Sequence, residues 1–189
     1  KNYVDKSKCR SIESFGHNDI FFDMDSVWMN MYKRSTLLPK LKNNGCKVAA
    51  HIYDIIPITD AQYCHEFTTL CFMEYIGAHL LNADLIISNA NATIDAIKTL
   101  VQGVQGVNFE TAVVPLGCDI KRKQGNNIRA DVVENAQKGK YILMVGTIEP
   151  RKNHTYVLKA FEKALFDMGF SLIFAGRVGW NISSFIERT

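Results

Sequence analysis

The sequence predicts an α/β protein built on parallel sheets covered on both faces. Three observations carry the prediction. Short, continuously apolar runs recur at residues 47–53 (KVAAHIY), 84–88 (DLIIS), 141–145 (YILMV) and 171–175 (SLIFA). Strands buried on both faces have this unbroken apolar texture, whereas half-exposed strands alternate. Segments with apolar residues at helical spacing separate the runs. Strand–helix alternation of this kind marks the crossovers that parallel strands require.

Residues 19–24 (DIFFDM) read as the first strand. Residues 26–44 read as a helix, with Trp28, Met31, Leu38 and Leu41 apolar and Gly45 as its stop. Pro39 lies inside it, and the missing amide donor predicts a kink or a break. The second strand, 47–53, runs into Asp54-Ile55-Ile56-Pro57. A long helix is expected over 60–82, with Tyr63, Phe67, Leu70, Cys71 and Ala78 on one face. The third strand is 84–88, and a helix over 91–101 follows, with Asn89 or Asn91 as its cap. The fourth strand, 109–114, closes on Pro115-Leu116-Gly117.

Residues 118–139 break the rhythm. They are polar and rich in Gly and Asn at the centre, and read as an interdomain linker with a short helix at 131–137. A second unit then begins: strand 141–145, helix 154–168, Gly169 as its C-cap, and strand 171–175. It ends in Gly176-Arg177-Val178-Gly179-Trp180 and a further helical start. The expected organisation is part of one domain over 1–117, the linker over 118–139, and the start of another domain over 140–189. Two complete domains of this type need roughly 300 residues. The sequence also lacks an initiator Met and opens on a polar segment, so it reads as a piece of a longer protein.

Composition narrows the function classes. The chain has 189 residues and is 47% hydrophobic, enough to bury a core. Its 22 Lys and Arg against 19 Asp and Glu give +3, too mild a charge to argue for nucleic acid. Lys121-Arg122-Lys123 is the one short basic run; it reads as solvated loop, or as a contact with anionic lipid headgroups. No apolar stretch is long enough to span a membrane, and no signal-peptide pattern is present. The five cysteines fall at irregular spacings, without a C-x-x-C pair, and read as reduced core residues. The five histidines show no ligand spacing, so no bound metal is expected. No strand leads into a G-x-G-x-x-G turn, which argues against a dehydrogenase.

The richest stretch is 141–164, YILMVGTIEPRKNHTYVLKAFEKA. An apolar strand stops at Gly146. A basic turn follows, Thr147-Ile148-Glu149-Pro150-Arg151-Lys152-Asn153. An amphipathic helix then starts, with Val157, Leu158, Phe161 and Leu165 on one face. Free N–H groups and the helix dipole favour an anion at such a place. Arg151 can grip phosphate oxygens in a fork, and Lys152 can act as a point charge. Pro150 stiffens the loop, and Asn153 is the expected N-cap. The plainer reading is a surface loop whose basic pair is merely solvated.

G-T-I-E-P-R-K-N followed by this helix closely resembles the donor-site motif of family 4 glycosyltransferases. That family has the GT-B fold, two Rossmann-like domains facing each other across a cleft. The resemblance covers the whole chain but only the middle of a typical member. It implies incomplete Rossmann-like units and a retaining, metal-independent transfer of a sugar. The donor would be a nucleoside-diphosphate sugar, with GDP-mannose as the first guess and UDP- or dTDP-sugars as alternatives. The acceptor would be a hydroxyl of a glycan or lipid-linked glycan in bacterial surface polysaccharide or lipopolysaccharide synthesis. No further cofactor is implied. The expected location is cytoplasmic, at the inner face of the membrane through peripheral contact.

The resemblance also implies roles for residues. Gly146, Thr147, Arg151 and Lys152 would hold the donor diphosphate; many relatives have Arg where Thr147 stands. Gly176 and Arg177 would lie near the nucleotide. Tyr53-Asp54-Ile55-Ile56-Pro57 is similar to the family's His-Asp segment, with Tyr in place of His. Asp54 would act at the transferring sugar or the acceptor hydroxyl; otherwise it caps the following turn. His51 on the same strand reads as a satisfied core histidine. Tyr53, Ser88 and Gly117 would line the acceptor side, although the Ser88-Asn89-Ala90-Asn91 segment also reads as a plain helix cap. Gly117, in Pro-Leu-Gly-Cys-Asp, matches the family's turn out of the first domain. The Gly-rich first turn and the E-x-x-x-x-x-x-x-E motif of the family are expected before Lys1 and after Thr189. Alternatives remain: a sugar-nucleotide epimerase of the same architecture, or a truncated, binding-only fragment. Half a sheet with an open edge also favours pairing with another copy, a homo-oligomer.

Overall fold

The computed structural model describes residues 12–24, 28–29, 32–119, 129–137 and 139–187. Lys121-Arg122-Lys123 and the middle of the expected linker lie outside the described residues. The chain divides into two compact units, Lys1–Cys118 and Asp119–Thr189.

The first unit holds a four-stranded parallel sheet in sequence order: β1 (Ile20–Met24), β2 (Lys47–His51), β3 (Leu85–Ser88) and β4 (Glu110–Val113). Phe22 stands beside Ala49, Ala49 beside Leu85, and Leu85 beside Glu110. The connections carry helices, α1 (Arg34–Asn43), α2 (Ile56–Thr59), α3 (Glu66–Asn82) and α4 (Asn91–Leu100). The core gathers Leu38 and Leu41 of α1, Val48 and Ala50 of β2, Phe72, Tyr75 and Ile76 of α3, Ile86 of β3, and Ile94 and Ile97 of α4. Trp28 closes over it, its ring edge-on to Phe72 at 5.3 Å.

Coverage is not complete on both faces. Along β1, Ile20, Phe22 and Met24 are exposed, whereas Asp23 on the opposite pleat is buried. The helices thus cover one side of this edge strand, and the other side is bare.

Two helices of this unit differ from their sequence-based expectation. The helix expected over 60–82 is broken into α2, a 3-10 turn at Ala61–Tyr63, and α3. Cys64 is extended, and the His65 ring accepts from the Phe67 amide at 3.2 Å to start α3 afresh. The buried face of α3 also differs. Tyr63, Phe67 and Leu70 are exposed, while Phe72, Tyr75, Ile76 and His79 are buried. The segment is apolar nearly all round, so spacing alone does not choose a side; packing against α1 and the sheet does. The helix expected over 26–44 starts only at Arg34, after an extended Lys33, and it runs on past Pro39, with Leu38 and Leu41 buried.

A buried polar cluster ties these elements together. Asp23 of β1 accepts from Nε and Nη2 of Arg34, the first residue of α1, the second bond being 3.1 Å. Nε2 of His79, from α3, lies 3.1 Å from Asp23 Oδ2, and Nδ1 lies 2.8 Å from the Tyr75 carbonyl. Burial alone would raise the Asp23 pKa. The His79 ring nitrogen 3.1 Å away and the hydrogen bonds from Arg34 outweigh it and hold the carboxyl below its ordinary value.

The second unit pairs β5 (Tyr141–Val145) with β6 (Ser171–Ala175) in parallel, with α5 (Ala130–Gln137), α6 (His154–Ala164) and α7 (Ser183–Ile186). Its core is small: Ile148, Ile182 and Phe185, with Leu158 and Phe174 against them. Of the expected face of α6, Phe161 is buried and Val157 and Leu158 are half-buried. The helix ends at Ala164, and a 3-10 turn at Phe166–Met168 leads to Gly169, which takes the left-handed conformation at φ 71°.

Candidate functional site

In open parallel sheets, ligands collect at the carboxyl ends of strands. Each unit brings sequence-predicted residues to such an end.

In the second unit, β5 ends at Gly146, whose φ of 147° is open to glycine alone at little cost. Pairing continues past the strands. The Gly146 amide donates to the Ala175 carbonyl at 2.9 Å, and the Ile148 amide to that of Arg177 at 2.8 Å. Ile148 and Val178 form a parallel bridge, and the Gly179 amide returns a bond to Ile148 at 2.9 Å. The approach is so close that a Cβ on Gly176 would stand 1.8 Å from the Gly146 oxygen. Gly146, Thr147, Gly176 and Arg177 are thereby held in two zipped loops. Arg177 is exposed at their rim and Thr147 is half-buried.

After the zipped segment, Glu149 is extended and Pro150–Lys152 forms a 3-10 turn. Asn153 then reverses the chain in the left-handed conformation, φ 54° and ψ 43°. It occupies the N-cap position of α6, but its side chain makes no capping bond. The expectation of a side-chain cap is corrected: backbone geometry, which Asn tolerates in this region, is what the position uses. His154 opens α6 as a buried anchor, its ring 5.3 Å from Phe174 and 5.9 Å from Phe185. Neither ring nitrogen has a hydrogen-bond partner among the described residues.

The two cations of the turn part company. Arg151 donates from Nη2 to Oε1 of Glu149 at 2.6 Å, and that glutamate is only 4% exposed. Lys152 is exposed and makes no ion pair among the described residues. The loop therefore offers one ammonium with no carboxylate of a described residue on it, at the start of a helix whose first N–H groups carry partial positive charge. Such an arrangement is chemically suited to an anion. Sequence reasoning missed Glu149 and His154. Neither has a sequence signal: a carboxylate two residues from an arginine, and a histidine after Asn, are common on surfaces.

In the first unit, the carboxyl ends of β2 and β3 bring Tyr53, Asp54 and Ser88 to one end of the sheet. Asp54 is exposed, and its Oδ1 accepts from the Ile56 amide at 3.1 Å, a turn that leads into α2, whose N-cap position is Ile55. Tyr53 is exposed, its ring edge-on to half-buried His51 at 5.0 Å. The Thr93 hydroxyl donates to the Tyr53 carbonyl at 3.3 Å and holds the turn against α4. Ser88 is fully buried and donates to Asn89 Oδ1 at 3.3 Å, so it stiffens the strand end from within. The expected cap of α4 by Asn89 or Asn91 is corrected, since Ala90 holds that position without a side-chain bond. Gly117 is exposed after β4, with open space where a Cβ would stand. A cavity of about 400 Å³, lined by Ile20, Lys47, Asp84 and Glu110 among others, lies at the opposite, amino end of these strands, away from the candidate residues.

The chain is similar to known proteins over most of its length. It is 24% identical over 186 residues to the serotype-specific mannosyltransferase WbdA of Escherichia coli, an alignment covering 92% of this chain and 23% of that protein. Two further WbdA sequences from Escherichia coli match at 24% identity, covering 92% of this chain and 22% and 23% of their own length. The chain thus spans about a quarter of the length of the curated relatives it matches. No family model matches it.

Proposed function

We propose that the chain is part of a glycosyltransferase that moves a sugar from a nucleoside-diphosphate donor to a glycan or lipid-linked glycan hydroxyl in surface polysaccharide synthesis. The likeness to mannosyltransferases supports the class of enzyme at a coarse level. The observation that carries the finer reading is the zipped glycine loop that delivers Lys152, exposed and without an ion pair among the described residues, to the start of α6.

In this reading the diphosphate lies across the turn from Gly146 to Asn153. Negative charge grows on the leaving diphosphate as the glycosidic bond breaks. Lys152 and Arg151 meet that charge, and Arg151, already held by Glu149, does so with little reorganisation, which lowers the barrier. Gly146 lets backbone approach the phosphates closely, Thr147 stands beside it, and Gly176 and Arg177 lie at the nucleotide side. Asp54 and Tyr53 orient the acceptor hydroxyl, with Ser88 and Gly117 shaping that end of the first sheet. The anomeric configuration is retained and no metal takes part. The donor is a GDP-mannose-like sugar nucleotide, with UDP- and dTDP-sugars as competitors to be tested. No helix among the described residues is long and apolar enough to cross a membrane. Contact with an inner membrane face, where it occurs, is peripheral in this reading.

Calorimetric titration with GDP, UDP and dTDP tests it. One nucleotide is expected to bind saturably, and Lys152→Ala to weaken it by about tenfold or more, the worth of a hydrogen bond to a charged group. The melting temperature of the variant should be unchanged, because the side chain is exposed. Failure of all three nucleotides to bind would sink the donor-site reading. Asp54→Asn separates the turn from the chemistry. It keeps an oxygen for the Ile56 amide, so stability should move by less than about 0.5 kcal/mol. Release of GDP from GDP-mannose in the presence of acceptor should fall sharply. An unchanged rate would leave Asp54 as a turn residue only.

A further inference from the structure

We propose that Glu149 is a positioning residue, fixing the Arg151 guanidinium in the direction from which it meets a diphosphate. The inference rests on the donor-site reading above and adds the residue that sets the arginine's aim. Glu149 is 4% exposed and sits under the neighbouring loop, where a Cβ on Gly179 would stand 3.3 Å from its own Cβ. Its backbone is extended at φ −150° and ψ 158°, so the side chain of this strand-like residue is directed by the zipped pairing just before it. The loop thus holds the carboxylate in place, and the carboxylate in turn holds the arginine.

Only one corner of the guanidinium is used. Nη2 donates to Glu149 Oε1 at 2.6 Å, while Nε and Nη1 make no hydrogen bond to a described residue. The Arg151 side chain is 34% exposed, so those donors have a path to solvent. A free arginine surrenders rotamer freedom when it grips an anion. One that is already held surrenders less, so its remaining N–H groups bind more tightly. Glu149 offsets part of the arginine's charge, and the division of labour follows. Lys152 supplies net positive charge, and Arg151 supplies fixed direction.

Reach and charge are separable by substitution. Glu149→Asp keeps the charge and withdraws the oxygen by one methylene. Glu149→Gln keeps the oxygen in reach and removes the charge. The full 189-residue chain is titrated with GDP, UDP and dTDP, beside both variants, Arg151→Ala, and Glu149→Asp combined with Arg151→Ala. Glu149→Asp and Arg151→Ala are each expected to weaken the bound nucleotide by about tenfold, as for one hydrogen bond to a charged group. The double variant should be no weaker than either single one, because both remove the same contact. Glu149→Gln should stay within about threefold of the parent, since a neutral acceptor keeps the geometry at reduced strength. Circular dichroism on each variant separates a folding loss from a binding loss, and if Asp does not fold, Glu149→Met, which keeps the volume and removes the acceptor, takes its place with the same expected loss. Losses that add in the double variant, or a Glu149→Asp chain that binds as the parent does, would overturn the inference alone. No nucleotide binding by the parent would overturn the donor-site reading and this inference with it.

Discussion

Asp23→Ala is expected to cost the first unit about 3–5 kcal/mol, the usual penalty for removing one member of a buried ion pair. Arg34 and His79 are 6% and 0% exposed, so neither can recover its lost partner from water. The variant strands a guanidinium between β1, α1 and α3, three elements that the carboxylate joins. Urea unfolding read by Trp28 fluorescence measures the loss, because that ring packs on Phe72 and Tyr75 in the same core. A change below about 1 kcal/mol, the scale of an exposed pair, would mean that the cluster is not structurally decisive. The pH dependence has a defined sign. The folded carboxyl sits below its ordinary value, so the unfolded chain takes up the proton first. The stabilisation is complete above the ordinary aspartate range and is lost as the pH falls through that value to the lowered one. Glu74 and Asp84 are lowered too, against burial that would raise them. The opposing causes are Ser35 for Glu74, and Lys42, Lys47 and the Val48 amide for Asp84, so both add to the same acid slope. Asp23→Ala should flatten the acid limb of the stability curve without abolishing it.

Gly176→Ala is expected to unfold much of the second unit. The new Cβ would stand 1.8 Å from the Gly146 carbonyl oxygen and 2.5 Å from its carbon. Both are backbone atoms, so the two loops must separate. The bonds from Gly146 to Ala175 and from Ile148 to Arg177 then weaken together. Forced overpacking of this kind costs about 3 kcal/mol. A core of Ile148, Ile182 and Phe185 has little to set against that, since small cores supply no more than roughly 3–5 kcal/mol. Amide exchange should rise across β5 and β6 and stay unchanged across β2 and β3. Gly146→Ala is the control. It meets nothing within 4 Å but is strained by its φ of 147°, so it should be milder. Equal protection of β5 and β6 in Gly176→Ala and the parent chain would show that the loops are not zipped as described.

Much of this architecture is legible in residue order. The runs at β2, β3, β5 and β6 carry their strand character in unbroken apolar residues. The turn after β5 is legible as well, since a glycine, a proline and an asparagine each have a specific backbone use there. The buried side of α3 is not legible. Phe67, Leu70 and Cys71 look as suitable for a core as Phe72, Tyr75 and Ile76, and the choice depends on where α1 and the sheet stand. The partner of Arg151 is hidden for a similar reason. Residue type marks Glu149 as a solvated charge, and only the covering loop from β6 makes it buried.

The sequence by itself determined the local chemistry of this protein: where strands stop, where glycine is required, and which turn concentrates cations ahead of a helix. Those are properties of short windows, set by backbone sterics and by periodicity. Tertiary structure alone decided the pairings across distance. It placed Asp23 against Arg34 and His79, from three separate elements, and it turned Gly176 from a permissive residue into an obligatory one. It also divided the two loop cations, giving Arg151 a carboxylate and leaving Lys152 exposed. Burial and proximity arise only when distant segments meet, and on these depend the cost of an unpaired charge and the room for a single methyl group.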